Sequence, residues 1–261
     1  MKKVSVLAAV AVLMFATSAA AADAYPEAKA QRPLTLHPSM GEAGLDIGIG
    51  LDKDRAAKDL TLGLSFGYGI MNNLEIGATV EALNYGKDLQ GAKFGGFSIY
   101  GRYAFLDMLA AELKIYAPGM GTYIDEFGDQ LVGVEVGLPF QYIIIENLLR
   151  INAGLALNAG FASEDIAGKM PQLSVLLKYG VTVNATNWLF FDLMFGTDML
   201  LRPDTGSFGD RTSIPVELTA GGTLLNGKMD IFLTFALADL KPAAGEAFDK
   251  KSLGLGARFR F

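Results

Sequence analysis

The chain has no cysteine and only one histidine in 261 residues. Without thiols it has no disulfide framework and no thiolate metal site. The lone histidine, His37, flanks Pro38 ahead of the first regular segment, where no strand sets it against a nucleophile. It reads as a solvated linker residue, and Ser–His chemistry is not expected. Positive charge is also scarce: the formal net charge is -6 and no basic tail or patch stands out, so nucleic acid is not an expected partner. Finally, there is no helical membrane span, although 51% of residues are hydrophobic. The one long apolar run, residues 4–15, is shorter than the roughly 18–20 residues a spanning helix needs. It follows Lys2 and Lys3 and leads to Ala20, Ala21 and Ala22, which marks residues 1–22 as a cleaved secretory signal peptide. The richest later stretch, residues 143–157, is broken by Glu146, Asn147, Arg150 and Asn152. A membrane admits only helices and closed barrels as spanning structures, and a dispersed apolar excess points to the second.

What is present is alternation. Leu60, Leu62, Leu64, Phe66 and Tyr68 are separated by Thr61, Gly63, Ser65 and Gly67, which gives a strand one apolar face and one small or polar face. The pattern recurs about twelve times, in segments of the length a tilted strand needs to cross a bilayer. Tight connections rich in Asn, Asp and Gly, near 71–73, 106–107, 146–147, 184–187 and 226–227, alternate with longer ones near 52–59, 85–93, 118–130, 161–170, 199–212 and 239–250. Short periplasmic turns and longer extracellular loops are the outer-membrane arrangement, with both chain ends periplasmic. The expected fold is therefore all-β: a closed antiparallel transmembrane β-barrel over residues 41–261, preceded by a periplasmic N-terminal segment at 23–40 that either stays in the periplasm or folds into the pore. The expected strand number is about twelve. Pro139 and Pro215 fall inside the sixth and tenth segments and cannot donate to a ladder, so ten or fourteen strands are the alternatives and a bulge is expected near Pro139. A soluble β-sandwich fits less well, because the non-apolar face is filled with glycine rather than Lys, Glu and Thr.

With the apolar phase facing lipid, the other phase lines the lumen. It carries Glu75, Glu81, Glu112, Glu135, Asp192 and Glu217, and Arg102, Lys114, Arg150, Lys178, Arg258 and Arg260, the expected pore-lining set. Isolated charges in a narrow barrel are costly, so both signs should pair across the interior. Inward glycines imply either space for a passage or close cross-strand packing. Arg102, Arg150, Lys178, Arg258 and Arg260, with Glu75 and Asp192, map toward the periplasmic half, where a charged constriction is expected.

The last segment, Leu253-Gly-Leu-Gly-Ala-Arg-Phe-Arg-Phe261, resembles the C-terminal strand by which bacterial outer-membrane proteins are recognised for assembly; the resemblance makes Phe259 and Phe261 the assembly signal. Arg32-Pro-Leu-Thr-Leu36 resembles the segment leading into the first strand of a loosely defined group of outer-membrane barrels that are often regarded as transporters. Asp204-Thr-Gly-Ser207 is similar to the aspartic-protease motif, but that chemistry needs two copies and one is present. Glycine-rich strands lack the helix a phosphate cradle needs, and the loop acids match no calcium loop. No enzyme activity, cofactor or metal is expected. The expected function is an outer-membrane channel for passive or weakly selective diffusion of small hydrophilic solutes in a Gram-negative bacterium. The alternative is a closed structural or adhesive barrel acting through its extracellular loops. Expected partners are outer-membrane lipids, lipopolysaccharide, the assembly machinery and the solutes themselves.

Overall fold

A computed structural model of the chain describes residues 25–51, 60–86, 91–118, 123–124, 128–162, 172–202, 211–240 and 251–261. The expected signal peptide, most of the long loops and the Asp204–Ser207 run lie outside these residues.

Twelve strands form the wall: β1 (Gly41–Gly50), β2 (Leu60–Met71), β3 (Leu74–Gly86), β4 (Gly96–Leu106), β5 (Leu109–Pro118), β6 (Gly128–Ile145), β7 (Leu149–Ala162), β8 (Gln172–Asn184), β9 (Leu189–Arg202), β10 (Val216–Leu224), β11 (Met229–Leu237) and β12 (Lys251–Arg260). Each pairs antiparallel with the next, and β12 pairs with β1, so the ring closes. The seam is continued by reciprocal backbone bonds between Gly41 and Phe261, 2.8 and 2.9 Å. A closed ring leaves no unpaired edge for lipid to meet, which is what a spanning sheet requires.

Alternation decides which face meets lipid. Leu45, Ile47 and Ile49 of β1 are exposed on the outer face, as are Ile76 of β3, Val136 and Leu138 of β6, and Leu155 and Leu157 of β7. Tyr68, Tyr103, Phe105, Tyr142 and Trp188 are exposed too, all near the tight-turn end, as expected of an interfacial girdle. The chain is thus an outer-membrane-type β-barrel whose hydrophobic surface is on the outside. The buried apolar cluster found among the described residues, Tyr25, Leu36 and Met40, belongs to the segment before β1.

The tight turns use the residues their geometry demands. Asn147, Asn226 and Gly227 have φ of 56°, 53° and 88°, in the left-handed region. Leu225 shares it at 54°, a position where a β-turn preference would have placed Asn or Gly. The phase of β3 shifts once, where the register to β2 skips Ala82; Leu83 then faces lipid opposite Leu62, and Asn84 faces inward opposite Thr61.

The prolines are accommodated differently from the expectation. Pro139 stays in register opposite Gly154, with no bulge at that point. Its missing N–H shows on the other side, where pairing with β5 lapses between Leu109–Phe140 and Glu112–Gly137 while the register is kept. Pro215 lies just ahead of β10, in an irregular step between Thr212–Ser213 and Val216 where its carbonyl still accepts from the Gly196 amide of β9 at 2.8 Å.

Candidate functional site: the barrel lumen and its plug

The lumen divides into two unlike halves. At the tight-turn end, residues 25–40 enter the barrel and cross it. They contain one 3-10 turn, Lys29–Gln31, and otherwise hold themselves in place by bonds to the wall. The Lys29 ammonium meets Asp192 of β9 at 2.5 Å and lies 4.1 Å from the centre of the Phe190 ring. The Ala30 amide donates to Asn184 of β8, the Leu36 amide to Glu75 of β3 (both 2.8 Å), and the Ser39 amide to the Gly69 carbonyl of β2. In the other direction, Arg102 of β4 donates to the Leu34 carbonyl, and Gln141 of β6 and Arg150 of β7 donate to the Arg32 carbonyl.

Arg32 is the anchor. Its guanidinium grips both carboxylate oxygens of Asp230 on β11, at 2.6 and 2.8 Å, and donates to Thr223 of β10 at 2.9 Å. Arg260 of β12 shares Asp230 from the other side, at 2.8 Å, and reaches Glu42 at 2.8 Å. Arg32, Asp230 and Arg260 are 5%, 3% and 4% exposed. Bidentate geometry and alternating sign let these charges stay buried. The Tyr25 ring lies beside both guanidinia, 4.8 Å from Arg260 and 5.6 Å from Arg32, and His37 meets it edge-on. Burial pushes the Tyr25 hydroxyl up, Arg260 opposing, and pushes the Lys29 ammonium down, Asp192 opposing. The plug also explains two glycines. A Cβ on Gly69 would collide with the carbonyl of His37, and one on Gly227, at φ 88°, would sit 2.7 Å from the carbonyl of Tyr25.

Most of the expected constriction is therefore present but engaged: Glu75, Arg102, Arg150, Asp192 and Arg260 hold the plug. One level further in, Arg102 pairs with Glu112, and Arg258 pairs with Asp46 at 2.8 Å while stacking on Phe232. Both pairs join neighbouring strands, so opposite charges are matched along the wall rather than across the interior as the sequence suggested.

The long-loop half is different. Lys114 and Glu135 stand opposite each other in register on the inner face, yet neither forms an ion pair among the described residues. Lys114 lies 5.7 Å from the centre of the Tyr116 ring. Glu217 accepts one 3.3 Å bond from Thr219, and Glu81 one from Asn84. Lys178 makes no ion pair and lies on the wall of a cavity in this half with Glu217, rather than in the constriction where the sequence map put it. Inward glycines do not all leave space: a Cβ on Gly77, Gly133 or Gly256 would run into the rings of Tyr100, Tyr116 or Phe232. At these positions cross-strand packing, the second of the two readings, accounts for the glycine.

Sequence reasoning missed Lys29, Arg32, Asp230, Asn184, Gln141 and Thr223. Asp230 alternates with Ile231 on the lumen phase of β11, so its phase was readable; its partners were not. Among the described residues no group of three or more His, Asp or Glu is placed to hold a metal ion.

No family model matches the sequence, and no curated protein matches it. In fold it is similar to solved structures. The NanC porin superposes with a TM-score of 0.54 at 11% identity, over 82% of this chain and 98% of that one. The KdgM porin does so with 0.50 at 8% identity, over 84% and 99%; that porin has also been solved in complex with disordered oligogalacturonate.

Proposed function

We propose that the chain is a non-enzymatic outer-membrane channel for small hydrophilic solutes. The observation that carries this is the set of ionisable groups facing the long-loop half of the lumen that have no ion-pair partner among the described residues: Lys114, Glu135, Lys178 and Glu217. Charges left unpaired in a dry interior would be prohibitively costly, so this half is water-filled and open to solutes. Two of its neighbours in fold are porins, which supports the reading. On this reading the pore-lining set is the one named from the sequence. Its periplasmic members position the plug, and the four unpaired ones meet the solute. Outer-membrane lipid and lipopolysaccharide surround the apolar belt, and the assembly machinery engages the terminal strand through Phe259 and Phe261.

Residues 25–40 cross the solute path at its periplasmic end, so passage runs beside them or requires them to move. The test is single-channel conductance of the refolded protein in a planar bilayer, for the full chain and for a form lacking residues 25–40. Discrete steps with an ion preference, in either form, support a channel. Silence from both, with folding verified, would reject it and leave a closed structural barrel acting through its outer loops.

A further inference from the structure

Apart from Phe190 and Phe232, which pack on the plug and on Arg258, the lumen phase is mostly small or polar, but it breaks in one sector of the long-loop half. Leu176 of β8, Met194 of β9, Pro215 ahead of β10 and Ala236 of β11 all face inward and line one cavity of about 610 Å³ in the long-loop half. The wall is well filled: Pro215 and Leu176 close over Gly196, whose added Cβ would lie 2.7 Å from the proline Cγ and 3.7 Å from the leucine Cδ1. Met194 covers Gly180 in the same way. Lys178 and Glu217 line the same space.

An apolar surface has no purpose in a lumen that only conducts ions and sugars. Small-molecule sites are commonly concave, of roughly 300–1,000 Å³, mostly apolar, with a few polar groups that fix orientation. This cavity has that composition. Among the described residues Lys178 has no carboxylate within ion-pair distance, although the Asp198 carboxylate lies near enough to feel its charge, so its ammonium can take an incoming anion. Glu217 on the same wall, and Asp198 beside Lys178, oppose a second negative charge on the ligand.

We infer that this cavity binds an amphipathic monocarboxylate, with the carboxylate on Lys178 and the apolar body against Leu176, Met194 and Pro215. The inference rests on reading the lumen as a solute path and names the solute class that path selects.

The test is calorimetric titration of the full chain, refolded into nanodiscs, with 3-phenylpropanoate. Saturable binding is expected. Lys178→Gln should weaken it about tenfold, the worth of one charge-assisted hydrogen bond, while Lys178→Arg retains it. Two further ligands keep the test independent of any variant's folding: propanoate, which lacks the apolar body, and 3-phenylpropanol, which lacks the charge, should each bind far more weakly to the unaltered protein. Equal binding of propanoate and 3-phenylpropanoate, equal binding by the Lys178→Gln form, or no binding at all would overturn the assignment. Planar-bilayer conductance of the same refolded protein separates the two readings. Channel steps without binding sink the site alone, and binding by a barrel that is silent both with and without residues 25–40 sinks the channel alone.

Discussion

The two halves of the lumen are built from the same strands and the same alternation, yet they use charge in opposite ways. Toward the tight turns, the buried charges around Arg32, Asp230 and Arg260 neutralise one another, and the N-terminal segment lies across the barrel. Toward the long loops, Lys114, Glu135, Lys178 and Glu217 face the interior without ion pairs. The sign and spacing of charged residues along a strand do not distinguish these situations. What distinguishes them is whether another chain segment arrives to exclude water. Where it does, charge becomes structural and must be matched; where it does not, charge remains free to act on what passes.

The contrast can be broken most forcefully by removing the segment. Deletion of residues 25–40 should raise single-channel conductance several-fold, because the tight-turn end then resembles the other. Removing the shared anion is the next largest change. Asp230→Ala leaves two guanidinia buried without their common partner, and should destabilise the folded barrel by about 3–5 kcal/mol, read by urea titration of refolding. A smaller effect is expected where glycine makes room for a ring: Gly133→Ala forces Tyr116 aside and should cost about 1–3 kcal/mol in the same titration. The mildest changes in stability sharpen the comparison from the other side. Lys114→Gln and Glu135→Gln should stay within about 0.5 kcal/mol of the parent. They should move ion preference in opposite directions, toward cations for the first and toward anions for the second, as measured by reversal potential.

The wall of the barrel was legible because it is repetitive. Apolar residues at every second position, broken by Asn, Asp and Gly turns, specify both the strands and the face that meets lipid, and twelve strands were countable on that basis. Arg102 and Glu112 could be named together because both lie on the lumen phase. The plug was not legible, since residues 25–40 have no periodicity. Arg32 bonds to strands whose residues lie almost two hundred positions away, a contact that only the closed ring creates. Arg150 and Arg260 were read as pore-lining charges; that they hold the N-terminal segment depended on contacts no periodicity announces. Lys178 was misplaced along the axis because position in a tilted strand does not translate directly into depth. Inward glycine was ambiguous for a similar reason: whether Gly133 opens space depends on where the Tyr116 ring turns.

The pairing of β1 with β12 carries a consequence for the order of events in assembly. The plug lies before β1 and so leaves the inner membrane first, but its anchor Asp230 is on β11 and Arg260, which shares that anchor, is on β12, the last strand to arrive. Its most buried anchor therefore does not exist until the last two strands are in place. A barrel truncated before β11 would still offer Glu75, Asn184 and Asp192 to the plug, but would leave Arg32 without the carboxylate that matches its charge.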